Sequence, residues 1–424
     1  MSQRRGRLIA ALVALTAAGC AARSTAFTPF QGHAAIVHST STFTLLHSFG
    51  KGNDGQKPLG TRLVALHGAL FGTTSQGGAQ GLGAVFRLDP SSGAESIVYS
   101  FRGSGKSDGA GPQGGLVNVG GKLYGTTLHG GADAGACGSG KGCGTLFSVT
   151  ASGSERVIHS FGASGDGGFP AAGPVKGAYG ALFGTTEAGF NLQTQYGVVY
   201  EIAANGKESL VYEFAGPPGD GQYPVADLGY FGGNLYGTTE LGGSAKGCGG
   251  LGCGTAFSLV GSRGFAEHVL HKFSGGADGT FPVSDLVGVA GILYGVTSGT
   301  AQRNCRESCG NVFEIAGSGK EGVLYDFKGG SDGAQPYGDL LYLNGGLYGV
   351  TNFGGSSSCA LKHSAGCGTI FKLTPQGAET VLHSFDGNDG SAPQTDLIEY
   401  RGSLYGTTSG GGAYGYGTVF SITP

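Results

Sequence analysis

The chain has 424 residues, of which 90 are glycine, only 12% are charged and none is tryptophan. Its formal net charge of −3 offers no basic field for nucleic acid, so that class of partner is excluded. Glycine at this abundance without a G-X-Y period would signal low complexity, but here it recurs at fixed places between β-rich segments and reads as turns and bulges.

At the N-terminus, Arg4, Arg5 and Arg7 precede a short apolar run, Leu8 to Ala18, too short to span a bilayer comfortably. The run ends in Ala17-Ala18-Gly19-Cys20, which resembles a bacterial lipobox with Cys20 as the lipidated first residue of the mature chain. Ala17 departs from the usual Leu, and simple secretion is the alternative; the residues after Arg4-Arg5 fit twin-Arg export poorly. Residues 1–20 are read as a signal peptide, 21–41 as a tether without repeat, and 42–424 as the folded domain. Membrane contact is expected only through the lipid anchor.

From residue 42 onward one unit of about 55 residues recurs seven times. Its marker phrase is Leu70-Phe71-Gly72-Thr73-Thr74 in the first copy and Leu404-Tyr405-Gly406-Thr407-Thr408 in the last. A second phrase ends at Phe49, Phe101, Phe161, Phe214, Phe273, Phe327 and Phe385, and a third, such as Gly368-Thr369-Ile370-Phe371, follows each marker. Each phrase is short, β-branched and aromatic, and bounded by glycine, as strands are. The fourth strand is the stretch before the marker, as in Asp396 to Tyr400, with Asn344-Gly345-Gly346 and Arg401-Gly402 as hairpin turns. Four strands in each of seven repeats predict an all-β, seven-bladed β-propeller, the radial solution to unpaired sheet edges. A solenoid is disfavoured because the repeat is long and neither end looks like a cap.

The termini predict how the ring closes. The strand at 44–49 and the strand at 417–422 correspond to elements that are consecutive in every internal repeat, yet here they lie at opposite ends of the chain. Their pairing would complete the last blade. The residue two before each Phe of the second phrase alternates His47, Tyr99, His159, Tyr212, His271, Tyr325, His383, which speaks of growth by duplicated blade pairs and implies no chemistry.

The phrases "LYGTT", "GTVF" and "VLHSF" resemble the GloVer-type tandem repeat of bacterial extracellular and surface-anchored proteins, over nearly the whole chain after residue 42. The order of phrases is also similar to kelch-type blades, without the kelch Trp. The resemblance implies an exported, anchored repeat protein and carries no catalytic residues with it.

Nine cysteines divide into Cys20 and four close pairs, Cys137/Cys143, Cys248/Cys253, Cys305/Cys309 and Cys359/Cys367, each in the loop between marker and third phrase. An even count in an exported chain reads as disulfides. Zinc competes, but the spacings vary and the pairs sit in different blades. Asp-Gly-x-x-Pro also recurs seven times, beginning at Asp54, Asp108, Asp166, Asp220, Asp278, Asp332 and Asp389. Asp, Gly and Pro there suit a turn between blades. A cation at each turn is the alternative, though one Asp is a thin ligand set. Asp227, Asp285, Asp339 and Asp396 stand three residues after the proline in repeats 4 to 7, where repeats 1 to 3 carry Thr61, Gly115 and Gly173. On an innermost strand these carboxylates could line one side of a channel; solvated strand starts are the plainer reading.

No catalytic residue, metal or cofactor is assigned. The distinctive polar residues are mostly repeated, no Gly-rich phosphate loop opens a helix, and the unrepeated Glu187 and Glu240 would suit a glycosidase only if they converged. The expectation is a non-enzymatic exported propeller, a monomer, binding an unknown protein or glycan. A polysaccharide hydrolase or lyase and an architectural envelope repeat are the alternatives. By strand parity, the Cys-bearing loops and the Asp-Gly turns share one face. That face is expected to bind through the loops at 128–144, 240–254, 298–310 and 352–368.

Overall fold

The structure is a computed structural model and describes residues 41–60, 62–132, 137, 140–163, 165–189, 196–244, 246–261, 264–300, 309–355, 359–361 and 364–424. Seven antiparallel sheets form the blades of a seven-bladed β-propeller. The first blade runs Val64–Leu66, Ala69–Thr74, Ala84–Leu88 and Glu95–Ser100 from its inner to its outer strand. The last blade is completed from the other end of the chain: Phe43–Ser48 pairs antiparallel with Thr418–Ile422, with Phe43 opposite Ile422 and Ser48 opposite Thr418. The strands expected to close the ring do so.

Each phrase of the repeat has a packing role. The Phe ending an outer strand meets an aromatic ring on the third strand of the next blade. Phe49 on Phe86, Phe101 on Phe147, Phe161 on Tyr200 and Phe273 on Phe313 all have ring centroids 5.0 Å apart. Such pairs contribute about 0.5–1.5 kcal/mol each beyond the area they bury. The marker glycine makes room for the ring: a Cβ on Gly72 would lie 2.6 Å from Phe86 Cζ and 2.7 Å from Leu63 Cδ2. The first threonine of the marker stitches neighbouring blades, as Thr126 Oγ1 donates to the Ala172 carbonyl at 2.7 Å and Thr238 to that of Ser284 at 2.6 Å. The second bridges its own blade, as in Thr127 Oγ1 to Thr145 Oγ1 at 2.8 Å. Every outer strand carries a bulge opposite its third strand, which adds local twist.

The alternation of His and Tyr has a single structural meaning. Each is a hydrogen-bond partner of the Asp in the next Asp-Gly turn: His47 Nε2 to Asp54 at 3.0 Å, Tyr99 Oη to Asp108 at 2.7 Å, and likewise around the ring to His383 and Asp389 at 2.7 Å. The same carboxylates accept backbone N–H groups, including Gly55, Gly109 and Gly221, and so fix the turns between blades.

A glutamate opens the outer strand in six blades and packs on the Asp clamp of the preceding blade. Glu95, Glu155, Glu208, Glu267, Glu321 and Glu379 each keep one carboxyl oxygen buried without a hydrogen-bond partner. Burial, aided by Asp54, pushes Glu95 up to about 8. It pushes Glu155, Glu267 and Glu379 up to about 7, with Asp108, Asp220 and Asp332 respectively adding to the rise. The seventh blade has Phe43 at this position.

Candidate functional site

The Asp-Gly turns and the starts of the long loops lie together in each blade. Gly55–Gln56 pairs with Gln76–Gly77, Gly109–Ala110 with His129–Gly130, and Gly221–Gln222 with Leu241–Gly242. Elsewhere the same neighbours meet through Gly168 and Ala188, Thr280 and Gly299, Ala334 and Phe353, and Ser391 and Gly410. The loops are stapled. Cys137–Cys143, Cys248–Cys253 and Cys359–Cys367 are disulfides with Cα atoms 5.5, 5.3 and 5.3 Å apart. Cys309 is disulfide-bonded too, while Cys305 and Cys20 lie outside the described residues.

At the centre of this face a cavity of about 420 Å³ opens, lined chiefly by the residues that follow the prolines and the markers. Residues equivalent by repeat differ here from blade to blade. After the marker come Ser75, Leu128, Glu187, Glu240, Ser298, Asn352 and Ser409, of which Glu187, Glu240, Ser298 and Asn352 line the cavity. Gln113, Gln335, Tyr337 and Gln394 add amides and a phenol. Glu187 and Glu240 thus converge from neighbouring blades. Burial pushes Glu187 up to about 7, with Glu240 adding to the rise, and burial raises Glu240 as well. Their backbone N–H groups donate to the carbonyls of Phe169 and Tyr223 at 3.1 and 2.9 Å. Those two and Phe281 precede prolines on three consecutive blades, at φ of 62, 58 and 54°, a left-handed conformation uncommon for bulky residues.

The floor is a ring of charge. Asp227, Asp339 and Asp396 line the cavity, and with Asp285 they surround Arg62. The guanidinium reaches Asp339 at 2.5 Å, Asp396 at 3.3 Å, Asp227 at 3.6 Å and Asp285 at 3.9 Å. The ring is also linked through the backbone: Gly173, Asp285 and Asp339 donate their N–H groups to Asp227, Asp339 and Asp396 at 2.6, 2.6 and 2.7 Å. Burial pushes Asp227 up to about 6 and Asp396 up to about 7, against the pull of Arg62, and raises Asp285 and Asp339. Burial opposes the charge on Arg62, but the four carboxylates outweigh it and hold the guanidinium protonated. A second cavity of about 310 Å³ is lined by Arg62, Asp285, Leu340, Leu397, Ile398 and Glu399, and Asp339 and Asp396 line both cavities.

Arg62 corrects the sequence alignment of this ring. Counting three residues forward from proline selects Thr61 in the first repeat, a residue outside the described set. Blade 1 has one extra residue between Pro58 and the buried Leu63. Counting back from the inner-strand leucines (Leu63, Leu116, Leu228, Leu286, Leu340, Leu397) places Arg62, Gly115, Asp227, Asp285, Asp339 and Asp396 in register. A count from the hydrophobic anchor was the signal available for finding it.

The Gloeobacter/Verrucomicrobia repeat matches residues 23–251, 133–363 and 247–424. No curated protein matches the sequence. Among solved structures, the chain is similar to a puromycin hydrolase, with 12% identity, a TM-score of 0.51, and 84% of this chain covering 50% of that one. It is similar also to a puromycin-hydrolyzing peptidase of Mycobacterium tuberculosis, with 11% identity, a TM-score of 0.49 and coverage of 86% and 53%. For the tricorn protease the values are 12%, 0.42, and 82% and 27%. At these identities the likeness is one of fold, and their chemistry is not transferred.

Proposed function

This chain belongs to the Gloeobacter/Verrucomicrobia repeat family, and from that premise we propose that it is an exported propeller that binds a glycan in the cavity at the mouth of its channel. One observation carries the reading. Residues that differ between blades gather in one cavity of about 420 Å³, and beside the apolar Leu59, Ala171, Val225 and Val283 they include amides, carboxyls and a phenol drawn from several blades. Repeated residues build the scaffold; unrepeated ones at equivalent positions select a ligand. Amides and carboxyls match the paired donors and acceptors of a polyhydroxylated ligand. The stapled loops around the mouth limit the ordering cost of binding. Acylation of Cys20 would hold the domain at the membrane; Cys20→Ala should then release the protein from the membrane fraction.

Glycan-array screening of the purified domain, followed by titration of the hit, tests this reading. Glu187→Gln with Glu240→Gln should weaken binding at least tenfold while the thermal midpoint holds. An array without a hit, or a hit indifferent to both substitutions, overturns it. A polysaccharide hydrolase is the second reading, favoured by Glu187, whose rise to about 7 beside Glu240 lets it hold a proton at neutral pH. Release of new reducing ends from the bound glycan, lost in Glu187→Gln, would identify it.

A further inference from the structure

We infer that Phe169, Tyr223 and Phe281 form a stacking wall on one side of the cavity mouth, and that the bound glycan is a chain of pyranose rings with flat C–H faces, as in a β-1,4-linked glucan. The inference rests on the glycan reading above and narrows it.

The backbone supplies the first argument. The residue before the inter-blade proline has a positive φ in all seven blades: 50 to 61° at Lys57, Gly111, Gln335 and Ala392, and 54 to 62° at Phe169, Tyr223 and Phe281. Main-chain bonds between blades hold it there. The N–H of Phe169 donates to the Cys143 carbonyl at 2.7 Å and that of Phe281 to Cys253 at 3.0 Å, while the carbonyls of Phe169 and Tyr223 accept from Glu187 and Glu240. Gly111 makes the same pair of bonds, to Leu82 and from Leu128, at 2.8 and 3.1 Å. The turn therefore needs no side chain, and glycine is the residue that a positive φ favours. Three consecutive blades nevertheless hold a bulky ring in this conformation. Strain of that kind gathers at ligand clamps.

Position is the second argument. Gln335, at the same place in blade 6, lines the cavity, and so do Ala171, Val225 and Val283, each two residues beyond one of the rings. The Tyr223 phenol is raised by burial and by the charges of Glu187 and Glu240, which places it beside two carboxyls of the cavity wall. The Phe169 ring meets His129 edge-on with centroids 6.0 Å apart. All three aromatic residues are half-buried, so each keeps surface open to a partner. Blades 3 to 5 thus each pair an aromatic with an aliphatic side chain. The rest of the circle presents the amides of Gln335, Gln394 and Gln113, with Leu59 between the last two.

A β-1,4-linked glucopyranose matches this two-sided mouth. Its hydroxyls stand around the ring edge, and its two faces carry only C–H groups. An apolar face gains by leaving water against an aromatic side chain. Edge hydroxyls donate and accept, as amides do. A five-membered furanose ring has no such flat face.

The test is calorimetric titration of the whole domain with a β-1,4-linked glucose hexamer, a β-2,1-linked fructofuranose hexamer and a hexapeptide of alternating Ser and Phe, with thermal unfolding of every variant. The glucose hexamer should bind and the other two should not. Phe169→Gly, Tyr223→Gly and Phe281→Gly should each weaken binding at least tenfold while the thermal midpoint holds or rises, and Tyr223→Phe should restore affinity. Lys57→Gly makes the same backbone change in blade 1 and should leave affinity unchanged. A midpoint that falls together with affinity places the rings in packing and overturns the inference. Equal affinity for the two saccharides, or binding lost in the Glu187→Gln and Glu240→Gln double variant but kept in the three glycine variants, overturns the wall and leaves the glycan reading standing. Binding of the peptide alone, or of no saccharide, overturns both readings.

Discussion

Phe43 lies face to face on His383, with ring centroids 3.7 Å apart and planes 5° from parallel. The pair joins the N-terminal strand to the sixth blade, at the position where six other blade contacts have a glutamate on a His-Asp or Tyr-Asp clamp. Phe43 also meets Phe385 edge-on and Phe420 at 5.7 Å. The strand that closes the ring thus docks through an apolar plate. Phe43→Ala should cost about 2 kcal/mol, below the ~3–5 of a fully buried Phe because this side chain is half-buried. Phe43→Glu restores the repeat but sets a carboxyl against Asp389. It should destabilise more at pH 8 than at pH 5, as read by urea unfolding at both.

The six glutamates make the whole ring sensitive to pH. An unfolded Glu titrates near ~4.3, whereas Glu95 is held at about 8 and Glu155, Glu267 and Glu379 at about 7. Between those values the folded protein keeps protons that the unfolded chain releases. Stability from these groups is therefore full below pH ~4.3 and lost as pH rises through about 7 to 8. The urea midpoint should be higher at pH 5 than at pH 8. Solvent screening of half-exposed groups limits each site to no more than about 1 kcal/mol. Replacing Glu155, Glu267 and Glu379 together by Gln should flatten the slope; an unchanged slope would assign it elsewhere.

Arg62→Met should cost about 2–3 kcal/mol, less than the ~3–5 for breaking a fully buried pair because 31% of the side chain stays exposed. The variant leaves Asp227, Asp285, Asp339 and Asp396 to repel one another. The loss should be largest at pH 8 and shrink toward pH 5, where these raised carboxyls take up protons. Thermal unfolding across that range is the measurement, and a uniform loss at all pH values would place the effect in packing.

Cys248→Ser with Cys253→Ser removes a bridge closing a loop of sequence separation 5. The chain-entropy relation gives about 2 kcal/mol for so short a loop, and the loss should stay local. Limited proteolysis should nick the 240–254 loop faster while the global midpoint moves little. Unchanged cleavage would show that the loop is held by other contacts, such as the Gly242 N–H to Leu251 carbonyl bond at 2.9 Å.

Repetition explains what could be read before folding. Strand phrases, blade number and the split hairpin are legible because each is written seven times or broken once. The Asp turns are legible for the same reason. The alternating His and Tyr were visible, but their common partner was not, because a ring nitrogen and a phenol look alike only once both reach the Asp seven or so residues on. The glutamate six residues before six of the seven Phe residues was an available signal that only the blade interface gives meaning. Arg62 was hidden by a one-residue offset in the first repeat. Glu187 and Glu240, 53 residues apart, meet only because adjacent blades point their loop starts at one axis.

The central claim is that the ligand sits at the mouth of the channel on the stapled face. Hydrogen–deuterium exchange of the domain with and without its array-identified glycan tests it most directly. The account predicts new protection around Gln113, Glu187, Glu240, Gln335 and Asn352, and none at the tight turns of the opposite ends of the blades, such as His67-Gly68, Asn344-Gly345 and Arg401-Gly402. Protection confined to those turns, or spread along the outer strands, would contradict it.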